Sequence, residues 1–322
     1  MINSKALTNL PALVAERFAA AKAANELNFY STQVAIVHCG EGRIPFQIRF
    51  SPALANKPKS NKPHDNSKPF DPFEDPSKAL LVCELAPSHN VVLNKFAVVP
   101  EHFILATKEF KEQTHLLEES DLAAAYACVK AYRDHGKLFA FFNSGEHSGA
   151  SQPHRHIQFL PVKSMREGVE SGTWDPLADS LQATSEPAMP FAYFASGLPK
   201  DPSSTALHSI YKKLYHDACA ASKAFAGEQF SSDSLSTDEY DVPSIISYNI
   251  GLTDDNMVLC PRQSEGRTLE TEDGKSIGPI ALNGTLLAGT LLVKSEPEWN
   301  ALRSDETKLA SVLEAIGIPS ST

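Results

Sequence analysis

The segment from Gly149 to Leu160 reads Gly-Ala-Ser-Gln-Pro-His-Arg-His-Ile-Gln-Phe-Leu, with polar residues at alternate positions before an apolar end. Successive side chains of a β-strand point to opposite faces, so His154, His156 and Gln158 would share one face. Three polar side chains in a row add nothing to core packing, and the sequence therefore predicts a functional site there. The small residues from Ser148 to Ser151 indicate a turn whose backbone amides can face an anion.

Two histidines at alternate strand positions allow more than one interpretation. They can be partly buried structural residues, or they can share a metal ion, which needs a third ligand. The nearby candidates for that ligand are only Glu146 and His147, and we expect no metal. Arg155 points to the other face on strict alternation, where we expect a surface charge.

The same residues suit nucleophilic chemistry on phosphorus. A neutral imidazole is a good nucleophile near pH 7, because its unperturbed pKa of roughly 6.5 leaves much of it unprotonated. One ring nitrogen attacks while the other keeps its proton, usually by donating it to a backbone carbonyl. Ser151, Gln152, Gln158 and the amides of the turn from Gly149 to Ser151 can then donate hydrogen bonds to the phosphoryl oxygens.

The chain has 322 residues, of which 42% are hydrophobic and 21% charged, as in an ordinary soluble globular protein. No apolar run approaches the roughly 20 residues that span a bilayer, and the N-terminus lacks signal-peptide features. Five scattered cysteines without a Cys-x-x-Cys pair favour reduced thiols, so we expect a cytoplasmic protein, with the nucleus as a second location. The net charge of −10 argues against long nucleic acid as a partner, whereas a small anionic ligand needs only a few local donors.

Strand-like and helix-like segments follow one another irregularly along the chain. Strands come in hairpin-like clusters, which predicts an α+β fold with a largely antiparallel sheet and flanking helices. A proline-rich loop at 51–78 and a serine- and aspartate-rich loop at 228–241 interrupt this pattern, and we expect a single domain over 1–322. Other predicted elements are a helix capped by Ser204, a strand over Leu286–Lys294 and a helix over Ser304–Ile316.

Residues 142–158, which include the histidine strand, resemble the signature of the nucleotidyl transferase branch of the histidine-triad superfamily. Within that branch the chain is most similar to the fungal diadenosine tetraphosphate phosphorylases, also called ATP adenylyltransferases. Further blocks resemble that family in the family's order, at 93–102, at 247–250 with 260–262, and at 282–285 continuing to 293–294. The resemblance covers roughly residues 30 to 295 and implies a histidine-triad-like catalytic fold.

The resemblance implies a two-step reaction. His156 would attack an α-phosphate of diadenosine tetraphosphate and expel ATP, and phosphate would then take AMP from the adenylylated histidine to give ADP. Gln158 stands where histidine-triad hydrolases carry a third histidine, and an amide holds phosphate oxygens but cannot relay a proton. This agrees with phosphate as the acceptor, while His154 would orient the nucleophile. The family further implies phosphate exchange with ADP or the use of adenylyl sulfate.

The family's binding residues carry over to matching positions of this chain. They are Asn143, Gly149, Ala150, Ser151 and Gln152 for the phosphate site, Asn94 and Lys95 for the nucleotide, Asn283, Gly284 and Thr285 for the distal nucleotide or phosphate, Thr290 as a further substrate-binding residue, and Lys57 and Lys294 for the polyphosphate. Two positions depart from the pattern, since Gly284 replaces an expected serine and a relative could present a larger side chain than Thr290. From the residues alone, Asn94 can equally end a strand, Lys57 can be a solvated charge, and Asn283-Gly284 can be a turn.

The resemblance implies no required cofactor, although Mg²⁺ on the polyphosphate can assist. The implied partners are the small molecules diadenosine tetraphosphate, phosphate, ATP and ADP, and the family favours a monomer. Two other functions stay open. One is a hexose-1-phosphate uridylyltransferase, which shares His-x-His-x-Gln but tends to have proline where Arg155 stands. The other is a non-catalytic adenine-nucleotide binding protein.

Overall fold

The computed structural model describes residues 7–53, 70–85, 87–170, 172, 174–181, 189–229 and 241–320. Most of the loop predicted at 51–78, including Lys57, lies outside the described residues. The same holds for nearly all of the loop predicted at 228–241. The assignment of 1–322 to one domain stays a prediction.

Six α-helices and fifteen β-strands form within the described ranges. The helices are α1 (Leu10–Ala23), α2 (Glu119–Ala131), α3 (Val162–Met165), α4 (Ser204–Phe225), α5 (Glu296–Ser304) and α6 (Glu306–Ile316). The strands are β1 (Asn28–Phe29), β2 (Gln33–Cys39), β3 (Ile44–Phe50), β4 (Leu81–Leu85), β5 (His89–Leu93), β6 (Phe96–Ala97), β7 (Phe103–Thr107), β8 (Leu138–Ser144), β9 (His156–Pro161), β10 (Phe194–Gly197), β11 (Ser247–Leu252), β12 (Asn256–Arg262), β13 (Gly266–Glu270), β14 (Ser276–Ala281) and β15 (Thr290–Val293). Among these helices, none combines the length and the apolarity needed to cross a membrane.

The central feature is an eight-stranded sheet with the order β10-β12-β11-β8-β9-β7-β5-β4. All of its neighbouring strands run antiparallel. Because β11 pairs with β8, strands from both halves of the chain share this sheet. The smaller sheets are β15-β3-β2, β13-β14 and β1-β6. The predicted α+β fold with a largely antiparallel sheet is confirmed.

Two large apolar cores lie on opposite faces of the eight-stranded sheet. In β8, Ala140 and Phe142 join the core that also contains residues of α1, α2 and α4. Phe139 and Phe141 alternate with them and join the core that contains residues of β2, β3, β15, α5 and α6. Because both faces of the strand are covered, the first five residues of β8, Leu138 to Phe142, are all apolar.

Three predicted elements differ from the structure. The predicted strand over Leu286–Lys294 begins as a 3-10 turn at Gly284–Ala288, because Asn283 caps that turn and Gly289 ends it with a φ of 66°. The predicted helix over Ser304–Ile316 is α6, which begins at Glu306 and not at Ser304, because Asp305 caps it and a separate helix, α5, ends at Ser304. The cap of α4 is Ser203, whose hydroxyl accepts from Ala206 N at 3.1 Å, and not Ser204.

Candidate active site

The polar end of β9 lies between β7 and β8, in the middle of the large sheet. His156 pairs with Ala106 of β7, and Gln158 pairs with Ile104 of β7 and with Phe141 of β8. His156 and Gln158 are therefore two residues apart on one face, as the alternation of the sequence predicts. His154 precedes the strand and forms an isolated bridge to Glu112.

On the His156 side of Gln158, the backbones of β8 and β9 separate, and the side chain of Gln113 lies between them. Gln113 Oε1 accepts from His156 N at 2.7 Å, while Gln113 Nε2 donates to Asn143 O at 2.7 Å and to His156 O at 3.2 Å. The amide thus replaces the ladder hydrogen bonds that Asn143 and His156 would otherwise share. Gln113 comes from the segment between β7 and α2, and the sequence gives no signal for this role.

His156 is held as a neutral imidazole with one free nitrogen. Its Nδ1 lies 2.8 Å from the carbonyl oxygen of His154, which can only accept, so the proton is on Nδ1. Nε2 then carries a lone pair, and it has no hydrogen-bond partner among the described residues. Burial lowers the pKa of His156 to about 4, although the hydrogen bond to His154 acts in the opposite direction. The ring is therefore neutral near pH 7, with its single proton on Nδ1.

His154 has no free ring nitrogen. Its Nδ1 lies 2.7 Å from Asp71 Oδ2, and its Nε2 lies 2.8 Å from Thr107 O and 2.9 Å from Thr107 Oγ1. A ligand bond to a metal would have to break one of these contacts. In the described part of the chain, no group of three or more His, Cys, Asp or Glu side chains is arranged to hold a metal ion. The geometry therefore favours a supporting role for His154 over a shared metal site.

Gln158 is half-buried, and its side-chain amide makes no hydrogen bond to any described residue. A small apolar cluster of Phe73, Val92, Ile104 and Ala106 lies on the same face of the sheet. The ring of Phe73 is 5.2 Å from the ring of His156, measured between centroids. The face of His156 and Gln158 therefore combines two free polar groups with an apolar wall, a composition typical of small-molecule sites.

The glycine turn after β8 packs directly against the loop before β15. Gly149 has a φ of 75°, and a Cβ there would lie 2.8 Å from Asn283 Cβ and 2.9 Å from Leu282 O. Only glycine fits this close approach with that backbone conformation. Ala150 is half-buried in the turn, and its backbone N–H donates to Ser148 Oγ at 3.3 Å. The side chains of Ser151 and Gln152 have no hydrogen-bond partner among the described residues, so both can donate to a ligand.

Asn143 connects the glycine turn to the C-terminal loop. Its Oδ1 accepts from Gly284 N at 2.8 Å and from Asn249 Nδ2 at 2.9 Å. Asn249 also donates to Ser148 O at 2.9 Å and accepts from Arg262, two contacts that the sequence did not predict. Asn143 is buried, and its Nδ2 makes no hydrogen bond to a described residue, so this amide keeps free donor capacity.

The C-terminal loop uses most of its polar groups internally. Asn283 Oδ1 accepts from Thr285 N at 3.0 Å, and the Thr285 hydroxyl lies 2.9 Å from both Asn283 Oδ1 and Thr290 O. A Cβ at Gly284 would lie 2.7 Å from Asn143 Oδ1, which explains the glycine where a serine is expected. Thr290 is buried, with its hydroxyl 3.4 Å from Gln47 Oε1. Thr290 is therefore placed to support the loop.

Three lysines and one asparagine of the predicted site remain. Asn94 Oδ1 accepts from Phe96 N at 2.9 Å, and Asn94 Nδ2 lies 3.1 Å from His102 Nδ1. Asn94 thus ends β5 and starts β6, while the side chain of Lys95 in the same turn is exposed. Lys294 is exposed at the end of β15, and Lys57 lies outside the described residues.

The prediction that Arg155 is a surface charge is wrong. Its side chain is 1% exposed and forms ion pairs with Glu118 at 3.0 Å, Asp121 at 3.2 Å and Asp241 at 3.0 Å. Arg155 does point away from His156, but the N-terminal turn of α2 covers that face. Alternation gave the direction of the side chain and could not show what packs there.

Comparisons with known proteins identify the relatives of this chain. The family model for the Ap4A (diadenosine tetraphosphate) phosphorylase N-terminal domain matches residues 3–178, and that for the ATP adenylyltransferase C-terminal domain matches residues 187–319. Diadenosine 5',5'''-P1,P4-tetraphosphate phosphorylase 2 of Saccharomyces cerevisiae is 29% identical over 335 residues, covering 97% of this chain and 95% of that protein. Protein APA1 of the same yeast is 24% identical over 328 residues, covering 98% and 96%.

Solved structures agree with these sequence matches. Yeast Ap4A phosphorylase Apa2 in complex with AMP matches with a TM-score of 0.74 and 25% identity, over 98% of both chains. The same enzyme in complex with Ap4A matches with a TM-score of 0.74 and 24% identity, over 98% of this chain and 99% of the other. The family predicted from the histidine strand is thereby confirmed. With family models matching most of its length, the chain belongs to the Ap4A phosphorylase family, whose members are nucleotidyltransferases.

Proposed function

We propose that this enzyme phosphorolyses diadenosine tetraphosphate to ADP and ATP through an adenylylated His156. The observation that carries the proposal is the state of the His156 ring. Its Nδ1 proton is held by the His154 carbonyl at 2.8 Å, and its Nε2 lone pair has no partner among the described residues. A buried neutral imidazole with one free nitrogen is a nucleophile that needs no base to activate it.

In the first step, Nε2 of His156 attacks an α-phosphorus of the dinucleotide. A P–N bond forms, the P–O bond to the remaining chain breaks, and ATP leaves. Negative charge grows on the phosphoryl oxygens, so donors aimed at them lower the barrier. Gln158, Ser151, Gln152 and Asn143 Nδ2 have free donor capacity on this side of the sheet.

In the second step, an oxygen of inorganic phosphate attacks the same phosphorus. The P–N bond breaks, ADP is released, and His156 returns to the neutral state with its proton still on Nδ1. The Gln158 amide can hold the phosphoryl oxygens, but it cannot take a proton from an attacking water. This favours phosphate, which is already an anion near pH 7, over hydrolysis. Phosphate exchange with ADP and the use of adenylyl sulfate follow from the same intermediate.

The remaining predicted residues have supporting tasks in this scheme. Asn94 and Lys95 contact the nucleotide, and the loop of Asn283, Gly284 and Thr285 borders the distal part of the substrate. Lys57 and Lys294 neutralise the polyphosphate, which a protein with a net charge of −10 must do locally. We further propose that the enzyme acts as a monomer and needs no cofactor, with Mg²⁺ carried by the polyphosphate itself.

Mass spectrometry of the protein incubated with diadenosine tetraphosphate, without phosphate, tests the proposal. We expect a mass gain of one AMP on a peptide containing His156, with ATP released in equal amount. Adding phosphate should remove the adduct and release ADP. His156→Ala should form no adduct, whereas His147→Ala, a change in a nearby histidine outside the strand, should form it normally. Turnover of the substrate by His156→Ala at the wild-type rate would overturn the proposal.

A further inference from the structure

Asp71 contacts the catalytic strand from outside the sheet. Its Oδ2 lies 2.7 Å from His154 Nδ1, and its Oδ1 accepts from Phe73 N at 2.9 Å. The carboxylate is 12% exposed, and the His154 side chain is 1% exposed. Since the Asp71 carboxylate accepts from the Nδ1–H of His154, it selects the ring state in which Nδ1 carries a proton.

The contact extends from Asp71 to the nucleophile through the main chain. The His154 ring is fixed at both nitrogens, by Asp71 on one side and by Thr107 on the other. The carbonyl of the same residue accepts the Nδ1 proton of His156 at 2.8 Å. If the His154 ring turned away from Asp71, this carbonyl would keep only the anchor of its own peptide unit, the hydrogen bond from Arg155 N to Lys111 O at 2.7 Å. The carbonyl would then hold the His156 proton on Nδ1 less firmly.

Phe73 strengthens the same contact. Its ring lies 5.7 Å from the His154 ring at an interplanar angle of 86° and 5.2 Å from the His156 ring at 37°. The hydrogen bond from Phe73 N to Asp71 sets the distance between the aromatic ring and the carboxylate. Residues 71–73 therefore contact both histidines, one by a charge-assisted hydrogen bond and both by ring packing.

We propose that Asp71 is a positioning residue of the adenylyl transfer, which fixes His154 so that the His154 carbonyl holds the His156 proton on Nδ1. Nε2 is then left unprotonated and aimed for attack. The proposal rests on the proposed function of His156. It assigns to the end of the proline-rich segment a task that no motif in the sequence indicates.

Three variants separate this task from a merely structural one. Asp71→Ala removes the acceptor, Asp71→Asn keeps an oxygen that can accept from Nδ1–H, and Asp75→Asn removes an exposed carboxylate from the same segment. The rate of His156 adenylylation is measured in a single turnover without phosphate. We expect a loss of about 10–100-fold in Asp71→Ala, a smaller loss in Asp71→Asn and no change in Asp75→Asn. The affinity for AMP should change little in all three, because Asp71 acts on the geometry of attack.

A second measurement reads the protonation state directly. Two-bond ¹H–¹⁵N spectra of the histidine rings should show His156 protonated on Nδ1 in the wild type and a mixture of both tautomers in Asp71→Ala. An Asp71→Ala protein with the wild-type rate per folded molecule and an unchanged His156 tautomer would overturn the proposal. If the wild type formed no AMP adduct, the proposed function would fail instead, and the tautomer comparison would still decide the role of Asp71.

Discussion

The two faces of the catalytic strand use their hydrogen-bonding capacity in opposite ways. On one face, His156 Nε2 and the Gln158 amide have no partner among the described residues. On the other face, Arg155 is paired with three carboxylates, and Phe159 lies fully buried in the core. On the face of His156 and Gln158, called the open face below, these two groups remain available to a ligand. On the face of Arg155 and Phe159, called the anchored face, ion pairs and core packing hold the strand in place.

The buried side of this comparison explains how a strand can present free polar groups without moving. Glu118 and Asp121, which form the capping box of α2, both bind Arg155. Burial alone would raise the pKa of Asp121, but the hydrogen bond from His89 and the charge of Arg155 hold that pKa below its usual value. The Arg155 network therefore anchors residues 154–156 to the start of a helix on the opposite side.

Removing Arg155 gives the largest expected effect on the anchored face. Arg155→Met removes the cation that three carboxylates share, of which Asp121 is well buried. Each carboxylate keeps a second partner, Lys111, His89 or His115, so we expect the free energy of unfolding to fall by about 3 kcal/mol, the lower end of the range for breaking a buried pair. Arg43→Met is the matched control, because Arg43 is 64% exposed and faces Glu306 at 3.6 Å, a pair worth about 0–1 kcal/mol. Denaturant unfolding of both variants measures the difference.

The same experiment can contradict the interpretation of that face. Equal losses in Arg155→Met and Arg43→Met would mean that the buried network contributes no more than a surface pair. Arg155→Lys refines the test, since lysine keeps the charge but lacks the planar fork that reaches several carboxylates. We expect its stability to lie between those of the wild type and Arg155→Met.

On the open face, the expected effect is on catalysis and not on stability. Gln158→Ala removes a donor that makes no hydrogen bond to the described protein, so unfolding should change little. Loss of one donor to a developing phosphoryl charge should lower kcat by about 10²–10³-fold. Steady-state phosphorolysis of diadenosine tetraphosphate measures this, with Gln158→Glu as a variant of equal size that places a repelling charge there. If Gln158→Ala instead lost stability with kcat unchanged, the amide would be structural.

The sequence predicted the open face better than the anchored one for a physical reason. The shared face of His156 and Gln158 follows from the two-residue period of a strand, which is a local property. The burial of Arg155 depends on α2, and the contacts of Asp71 and Gln113 come from 83 and 43 residues away along the chain. No local pattern encodes such contacts. An aspartate in a proline-rich segment and a glutamine between two elements look like ordinary loop residues.

The C-terminal loop shows the same limit on a smaller scale. Apolar residues from Leu286 onward favoured a strand, but Asn283 and Gly289 define a 3-10 turn before β15 begins. The family pattern placed Asn283 and Gly284 near the substrate, and the structure does bring them against Asn143 and Gly149. What the pattern could not show is that Gly284 has no room for a side chain, because Asn143 Oδ1 occupies that space.

The pH dependence of His156 adenylylation distinguishes a buried imidazole from a solvated one. The pKa of His156 is lowered to about 4 by burial, and attack needs the neutral ring. The adenylylation rate should therefore stay level from pH 8 to about 5.5 and fall as the pH drops through about 4. Single-turnover formation of the AMP adduct without phosphate is the suitable measurement. Every phosphate of the dinucleotide is bridged, so the charge of the phosphate chain does not change in this range, and saturating substrate at each pH removes the effect of adenine protonation on binding.

The lowered pKa of His156 also makes the stability of the folded protein depend on pH. An unfolded chain takes up the proton of this histidine near pH 6.5, whereas the folded protein does so only near 4, so acidification between these values lowers stability. Circular dichroism at each pH therefore gives the folded fraction by which the rate is divided. A corrected rate that falls with a midpoint near 6.5 would show a solvated imidazole and contradict the buried, pre-aligned nucleophile. A midpoint near 4 would show that burial keeps Nε2 of His156 unprotonated and ready for attack down to that pH.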